Sequence, residues 1–554
     1  MKSNFRRWYW LTAIKASLFH FCLNLAPKKG VVALRKLSDK GKVSASSAVL
    51  SATMSEIELK FVTGDDAHQA FTQRVLPLFE KHRIQVNSHR EMRLENDYYD
   101  TEKLDFQNQK MGFRVRGNNG EYEQTLKTNG VVSGGLHKRM EYNVSLEKSQ
   151  PDLALFDESV WPQGWDVSAK NASLSKQFST HFTRNAYVVA LDDSEVEIVL
   201  DCGKASTEKA SSPINEIELE LMSGDINTLF TLAVLINDNM PVRLSDVSKA
   251  AQGYQLLHGF NAKIRHLPDF LALEDTTTTE EAFSRAVQTA LAHWQHHEHV
   301  FCESGSIKML AEVAKSVRLL LQSVSLYLPV LQCPELLALH KKLVAHAQKW
   351  GWQDDLQSLR YLLSKKSMFS KTLSKHPAVV SYLQGRQTGL MQAHEPEKLF
   401  FDNDATDIKL HAISLIQNKP WQKEATGYDH PVLDHAKGWL SQGWQTVQQS
   451  MPLSKTMGPV NYSAVEIMLR QTLWSGFLLG DLFVEERGNF RAPWLDLLTG
   501  IDELNALLML KQSIDDAEVD SHDEVRKWTA EKLSTLIRIM ERTRTVAMQR
   551  DVYW

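Results

Sequence analysis

The stretch EIELKF at residues 56–61 alternates ionic and apolar residues without a break. Successive side chains of a β-strand point to opposite faces of the sheet. Glu56, Glu58 and Lys60 would therefore share one face, and the apolar residues between them the other. The stretch predicts a strand with one wholly ionic side.

The same alternation recurs in later segments. They are FRVR at 113–116, EQTLK at 123–127, RMEY at 139–142, EVEIVLD at 195–201 and EIELEL at 216–221. Taken singly, each is explained by a half-buried strand whose charges face water. As a set they stack like charges along single strands, which is repulsive unless an opposite charge lies between them. A barrel with its ionic face inward would provide this, because its basic residues could bind a polyanion and its carboxylates hard divalent cations.

The chain divides into three segments by composition and pattern. Residues 1–53 are basic and are predicted to be disordered or to lie upstream of the functional start at Met54; an export signal is the weaker alternative. Residues 54–262 are dominated by period-two runs, which predicts a β-rich domain of the α+β class. Residues 275–554 carry helical periodicity, which predicts an all-α domain. Helices are expected at 279–300, 306–327, 334–349 and 496–515.

Composition limits the class of protein. The 554 residues carry a formal net charge of -4 at pH 7, with 43% hydrophobic and 23% charged residues, as expected of a globular protein with several cores. The four cysteines lie far apart, which favours a reducing, cytoplasmic location over a disulfide framework. No run of about 18 uncharged apolar residues occurs, so no membrane partner is expected. The near-neutral charge likewise gives no support for nucleic-acid binding.

Seven short motifs follow one another between residues 56 and 254. They are EIELK at 56–60, YYDT at 98–101, GFRVR at 112–116, QTLK at 124–127, GGLHKRMEY at 134–142, EIELEL at 216–221 and SKAAQGY at 248–254. Together they resemble the CYTH family, also called the triphosphate tunnel metalloenzymes. The order, the spacing and the helical region that follows are most similar to bacterial members in which a CHAD domain follows the CYTH domain.

The resemblance implies an antiparallel eight-stranded β-barrel, a tunnel open at both ends, that hydrolyses inorganic triphosphate with Mg²⁺ or Mn²⁺. The implied catalytic residues are Glu58, Glu218, Glu220 and Lys249, the last on a helix that closes one tunnel mouth. The implied phosphate-binding residues are Lys60, Arg114, Arg116, Lys127, Arg139 and Arg184. The implied metal-binding acids are Glu56, Glu58, Glu218 and Glu220, with Glu141, Glu197 and Asp201 as further acidic candidates. Family members usually have arginine where this chain has Gln252, which leaves one phosphate or ion-pair contact open.

The helical region from about Glu281 onward resembles a CHAD domain, a module with histidines that are associated with polyphosphate binding. His293 and His297 lie four residues apart on one helix face, but no third ligand has a known metal-site spacing, so helix-packing or solvated histidines are favoured. A basic stretch could bind polyphosphate, although a solvated helix surface explains it equally well. Its members are Lys341, Lys342, Lys349, Arg360, Lys365, Lys366, Lys371 and Lys375. Polyphosphate as a partner of the helical domain is therefore the weaker hypothesis.

The sequence predicts metal-dependent hydrolysis of inorganic triphosphate to diphosphate and phosphate inside a charged β-tunnel. One alternative is a hydrolase or cyclase that acts on an organic triphosphate such as thiamine triphosphate or ATP, for which the sequence shows no site for the organic group. Another is a non-catalytic polyphosphate-binding adaptor. A P-loop enzyme is not supported, because the glycines of 130–135 lack the Gly-Lys-Ser/Thr ending.

Overall fold

Antiparallel strands form a single sheet in the first part of the chain. The computed structural model describes residues 52–483, 487–517 and 523–554. The strands are β1 (Ala52–Val62), β2 (Gln85–Asp100), β3 (Gly112–Asn118), β4 (Glu121–Lys127), β5 (Val131–Ser133), β6 (Leu136–Leu146), β7 (Ser175–Leu191), β8 (Ser194–Ser206), β9 (Ser211–Ser223) and β10 (Arg243–Leu244).

The sheet closes into a barrel. Its strand order is β10-β1-β9-β8-β7-β2-β3-β4-β6-β5, and β1 also pairs with β6. This extra pairing joins the two ends of an eight-stranded ring and leaves β10 and β5 as short additions beside β1 and β6. The predicted antiparallel eight-stranded barrel is therefore confirmed. In the ring, β3 is equally far from β9 in both directions, so these two strands face each other across the interior.

Short helices accompany the barrel, and long helices follow it. The first group is α1 (Ala67–Ala70), α2 (Asp105–Asn108), α3 (Val167–Ala172), α4 (Asn227–Asn239) and α5 (Lys249–His258). The second group is α6 (Thr279–Ser304), α7 (Ile307–Tyr327), α8 (Pro334–Lys349), α9 (Trp352–Leu363), α10 (Ser370–Leu373), α11 (Pro377–His394), α12 (Pro396–Phe400), α13 (Asn403–Asn418), α14 (Leu433–Ser450), α15 (Pro459–Leu479), α16 (Arg487–Asp516) and α17 (Asp523–Met548). The largely helical second half is as predicted.

Apolar side chains of the barrel strands point outward into a core. Leu59 and Phe61 in β1 and Ile217 and Leu219 in β9 are fully buried, and α4 packs across β8 and β9. Burial of these side chains removes apolar surface from water, which is the main favourable contribution to folding. Because side chains alternate along a strand, the ionic residues between them must point into the barrel. The helix α4 thus covers part of the apolar outer face.

The helical half packs against one end of the barrel, within the compact unit Thr53–Trp554. Gly134, in the turn before β6, leaves no room for a side chain because Ile413 and Leu291 lie against it. Lys138 in β6 donates to Gln417 in α13 at 2.7 Å. These contacts place α6 and α13 beside the start of β6.

Two predictions from the sequence concern the segment 1–53 and the absence of a membrane-spanning helix. The prediction for residues 1–53 lies outside the described residues, apart from the last two positions of that segment. Across the described ranges, no helix combines the length and the apolar character that crossing a membrane requires.

Candidate active site

The barrel interior contains a cavity of about 940 Å³. The cavity is lined by all of the side chains predicted from the sequence to act in catalysis, phosphate binding or metal binding. They are Glu56, Glu58, Lys60, Arg114, Arg116, Lys127, Arg139, Arg184, Glu218, Glu220 and Lys249. Of the further acidic candidates, Glu141 and Glu197 also line the cavity, whereas Asp201 is buried in ion pairs with Arg184 and Lys249. The closed barrel thus brings together residues from seven strands, β1, β3, β4, β6, β7, β8 and β9, and one helix, α5.

One group of carboxylates beside the cavity is matched in number by basic groups, although burial raises the pKa of its member Glu216. This paired cluster consists of Asp201, Glu216 and Glu218 together with Lys60, Arg184 and Lys249. Lys60 Nζ lies 2.6 Å from Glu216, Lys249 Nζ 2.7 Å from Asp201, and Arg184 donates to Asp201 at 2.6 Å. Oxygens of the three carboxylates lie within 4.8 Å of one another, an approach that the intervening cations make favourable.

The pKa of Glu218 reflects this matching. Burial alone would raise it, but the nearby charges of Lys249, Lys60 and Arg184 hold the pKa of the Glu218 carboxyl well below its usual range. The carboxylate is therefore ionised, and its charge is already balanced by protein groups. The carboxylate oxygens of the paired cluster are close enough to one another to hold a metal ion. The cluster nevertheless offers little uncompensated negative charge to attract one.

A second group of carboxylates exceeds the basic groups beside it. This acid-rich cluster consists of Glu56, Glu58, Glu141 and Glu220 together with Lys127 and Arg139. Lys127 Nζ lies 2.6 Å from Glu56 and 2.7 Å from Glu141, while Arg139 bonds Glu56 and Glu58, each at 2.8 Å. Glu220 has no ion-pair partner among the described residues. Its neighbours in register are Glu58 on β1 and Glu197 on β8, so carboxylates occupy three adjacent strands at one level.

Two members of this cluster show the excess of negative charge in their pKa values, whereas Lys127, despite burial, holds the pKa of Glu56 below its usual range and lowers that of Glu141 to about 2. Burial, reinforced by Glu56, Glu141 and Glu58, raises the pKa of Glu220 to about 7. Burial and the charges of Glu218 and Glu56 also raise the pKa of Glu58. A carboxylate whose pKa is raised by other carboxylates lies where a bound cation would be stabilised.

An excess of positive charge lies across the cavity, on β3. Arg116 donates through Nε to Asn96 at 2.7 Å and has no carboxylate partner in the described ranges. Burial, followed by the charges of Arg114 and Arg184, lowers the pKa of Arg116 to about 9. Arg114 has its nearest carboxylate, Glu141, only at 4.0 Å. Guanidinium groups left in this state match the geometry of phosphate oxygens.

The donor set is suited to a hard divalent cation. The acid-rich cluster offers only carboxylate oxygens, the ligands that Mg²⁺ and Mn²⁺ prefer. The unpaired charge of Glu220 and the partly compensated charge of Glu58 fit such a cation, and the arginines of β3 fit an anion. Because β3 and β9 face each other, a polyanion with a divalent cation would neutralise both sides of the cavity at once.

Some residues at the site were not singled out from the sequence. Glu216, which pairs with Lys60 and Lys249, shares the ionic face of EIELEL with Glu218 and Glu220, so strand alternation contained the signal. At the position of Gln252, the side-chain amide donates to Ser212 Oγ at 2.9 Å and to the Pro213 carbonyl at 2.7 Å. No simple pattern would have placed those contacts.

The candidate histidine pair of the helical half lies beside a third potential ligand. His293 Nε2 lies 2.9 Å from Glu312 in α7, and oxygen and nitrogen atoms of His293, His297 and Glu312 lie within 4.8 Å of one another. Both ring nitrogens of His297 are already engaged, Nδ1 with the His293 carbonyl at 2.7 Å and Nε2 with the Arg265 N–H at 3.2 Å. This bonding agrees with the favoured interpretation of helix-packing histidines.

The basic stretch of the helical half is partly neutralised. Lys342 pairs with Asp407 at 2.5 Å, and Lys349 pairs with Asp402 and Asp404, each at 2.6 Å. These ion pairs reduce the positive charge that the stretch could offer to a polyanion.

Comparison with known proteins supports the assignment of the barrel. The family model of the CYTH domain matches residues 54–254. The inorganic triphosphatase of Haemophilus influenzae is 37% identical over 172 residues, which are 31% of this chain and 48% of that protein. The chain thus spans about half the length of the curated relative that it matches.

Two solved structures give looser likenesses. A Hippeastrum protein described as having a dominant triphosphatase activity is 17% identical, with a TM-score of 0.28, over 36% of this chain and 95% of its own. The CHAD domain of Ricinus communis is 15% identical, with a TM-score of 0.37, over 52% of this chain and 98% of its own. Because these scores are low, the family assignment depends on the sequence match and on the strand pairing. This chain contains a CYTH domain, which spans residues 54–254.

Proposed function

We propose that the chain is a metal-dependent inorganic triphosphatase that hydrolyses triphosphate to diphosphate and phosphate inside the barrel. The observation that carries the proposal is the pairing of two opposite charge excesses across one cavity. Among the residues that the structure describes, Arg116 has no carboxylate partner and Glu220 has no basic partner. A linear triphosphate with a divalent cation supplies both missing charges, whereas an uncharged ligand supplies neither.

The proposed phosphate-binding residues are Lys60, Arg114, Arg116, Lys127, Arg139 and Arg184. Most of them are paired with carboxylates, as Lys127 is with Glu56 and Glu141. Arg116 and Arg114 are the least compensated, so we expect them to contribute most to binding the substrate. The likeness to the Haemophilus influenzae triphosphatase supports an inorganic substrate.

The proposed cation-binding residues are Glu56, Glu58, Glu218 and Glu220. Glu58 and Glu220 fit best, since their charges repel one another and are incompletely paired. Glu218 is the least suited, since Lys60, Lys249 and Arg184 already surround it. Bound beside Glu58 and Glu220, Mg²⁺ or Mn²⁺ would neutralise phosphate oxygens and favour ionisation of a water molecule.

Hydrolysis in this cavity needs no covalent intermediate. The oxygen of a water molecule forms a bond to the terminal phosphorus, the bridging phosphorus–oxygen bond breaks, and diphosphate leaves with the bridging oxygen. Arg114 and Arg116 would hold the transferring group and stabilise its charge, and Lys249, a member of the paired cluster, would contribute positive charge at the cavity wall. Fixed charges of this kind account for much of the catalysis of phosphoryl transfer.

The domain limits and the cellular location belong to the same proposal. We take 54–262 as the catalytic domain and 275–554 as the helical domain. Cys202, Cys302 and Cys333 are free thiols, which supports a reducing, cytoplasmic environment.

A phosphate-release assay on the full chain tests the proposal. Tripolyphosphate, ATP and thiamine triphosphate are each supplied with Mg²⁺, with Mn²⁺ or with EDTA. We expect release from tripolyphosphate that requires a divalent cation. Preferential release from an organic triphosphate, or diphosphate formed from ATP, would favour the organic-substrate alternative. Tight binding of long-chain polyphosphate without any turnover would favour the adaptor.

A further inference from the structure

The segment 245–248 determines where Lys249 lies. It connects β10 to α5, and Lys249 is the first residue of that helix. The Lys249 ammonium lies 2.7 Å from Asp201 and 3.1 Å from Glu218, and it also contacts Glu216. Because the lysine side chain is flexible, its position among these carboxylates depends on how firmly the preceding backbone is held.

His137 contacts this segment from the barrel wall. It lies in β6, two residues before Arg139, lines the cavity and is 2% exposed. Its Nε2 lies 3.3 Å from the carbonyl oxygen of Ser245. A carbonyl oxygen only accepts, so Nε2 must carry the proton in this contact.

The ring is held in one protonation state. Burial, followed by the charge of Arg139, lowers the pKa of His137 to about 4. At neutral pH the ring is therefore uncharged, with its proton on Nε2. Its Nδ1 is buried and has no hydrogen-bond partner within the described ranges, so the whole polar interaction of this side chain is directed at Ser245.

Two further bonds hold the segment close to His137. The Ser245 N–H donates to the Lys60 carbonyl at 3.0 Å, and the Gly135 N–H donates to Asp246 Oδ1 at 2.7 Å. The segment is thus fixed to β1 and to the start of β6. The contact from His137 adds to these a side-chain bond from the barrel wall to the backbone of the segment.

We propose that His137 is a positioning residue, whose Nε2–H bond to the Ser245 carbonyl fixes the backbone that places the Lys249 ammonium in the paired cluster. The inference rests on the proposed function, in which Lys249 takes part in turnover. It assigns His137 no contact with the substrate.

The test compares His137→Gln, which keeps an N–H donor near the position of Nε2, with His137→Leu, which has similar bulk and no donor. His181→Leu, at an exposed position of β7, is the control for loss of a histidine. Each full-length variant is assayed for kcat and KM with tripolyphosphate and Mg²⁺, and for its melting temperature. In addition, reductive methylation of Lys249 is followed by mass spectrometry.

We expect His137→Leu to lower kcat by about 10-fold or more with little change in KM, as a misplaced active-site group does, and to increase methylation of Lys249. In His137→Gln, kcat and the methylation of Lys249 should both lie within about 3-fold of their values in the chain without substitutions. Equal losses in the Gln and Leu variants would overturn the inference, as would unchanged kcat and unchanged methylation in the Leu variant. Absence of turnover in the chain without substitutions would refute the proposed function alone. The methylation of Lys249 would then decide the role of His137. Increased methylation in His137→Leu supports that role, and unchanged methylation overturns it.

Discussion

The paired and acid-rich clusters differ in how their carboxylates are compensated, although both lie buried in the same barrel. In the paired cluster, Glu216 and Glu218 are surrounded by Lys60, Arg184 and Lys249. In the acid-rich cluster, Glu220 has no basic partner in the described part of the chain, and its pKa rises to about 7. Close approach of carboxylates is therefore a poor guide to a cation site by itself. The carboxylates of Asp201, Glu216 and Glu218 lie within 4.8 Å of one another, yet basic groups of the protein already balance their charge.

The largest expected effect comes from removing a charge of the acid-rich cluster. Glu58→Gln keeps the shape of the side chain but reduces the negative charge that would hold a cation. We expect kcat for tripolyphosphate to fall by about 10²–10³-fold, with the fold intact by circular dichroism. Near-unchanged activity at saturating Mg²⁺ would show that Glu58 has no part in the cation site.

The arginines of β3 give the next effect. Arg116→Ala removes a buried cation that no carboxylate of the described residues pairs with, so we expect kcat/KM to fall by about 100-fold without loss of thermal stability. The matched control is Arg90→Ala, at an exposed position of β2, which should leave kcat/KM unchanged. A melting temperature that falls together with activity would instead indicate that Arg116 supports the fold.

The paired cluster should respond in stability as well as in activity. Glu216→Gln leaves the buried ammonium groups of Lys60 and Lys249 short of a counter-charge. Breaking a buried ion pair in this way costs about 3 kcal/mol, so urea denaturation should show a clear loss in the free energy of unfolding. If Glu216→Gln is as stable as the unmodified chain, the paired cluster is not the structural ion-pair group described above.

The smallest effect concerns pH. Below the unfolded pKa of about 4.5, Glu220 is protonated in both states. Between pH 4.5 and 7 the unfolded chain releases this proton and the folded chain keeps it, so the stability contributed by Glu220 falls as pH rises and is constant above pH 7. Glu220→Gln avoids this loss.

The pH effect is measured without metal. In EDTA, Glu220→Gln should be more stable than the unmodified chain at pH 8 by about 2 kcal/mol, with a smaller difference at pH 5. A difference that is equal at both pH values, or that favours the unmodified chain at pH 8, would contradict the raised pKa.

Much of the fold could be predicted because the decisive patterns are local. Alternation in EIELKF and in EIELEL is enough to place ionic residues on one face, and strand closure then directs that face inward. Pro334–Lys349 forms a helix with the predicted bounds, since proline is favoured in the first helical turn. The last predicted region begins earlier than expected, at Arg487, because Pro493 lies inside the helix instead of ending it.

The distribution of ion pairs could not be predicted from local patterns. Lys249 belongs to a helix far along the chain from Asp201, and only the closed barrel brings the two together. Glu218 and Glu220 have the same surroundings in the sequence, yet the first is matched by cations and the second is not. Which carboxylate remains free depends on distances across strands, and these are set by tertiary structure.

The most direct test of the account is anomalous diffraction from crystals that contain Mn²⁺ and tripolyphosphate. The account predicts a manganese peak beside Glu58 and Glu220, with phosphate density against Arg114 and Arg116. A manganese peak among Asp201, Glu216 and Glu218, with the ion pairs to Lys60 and Lys249 displaced, would contradict it.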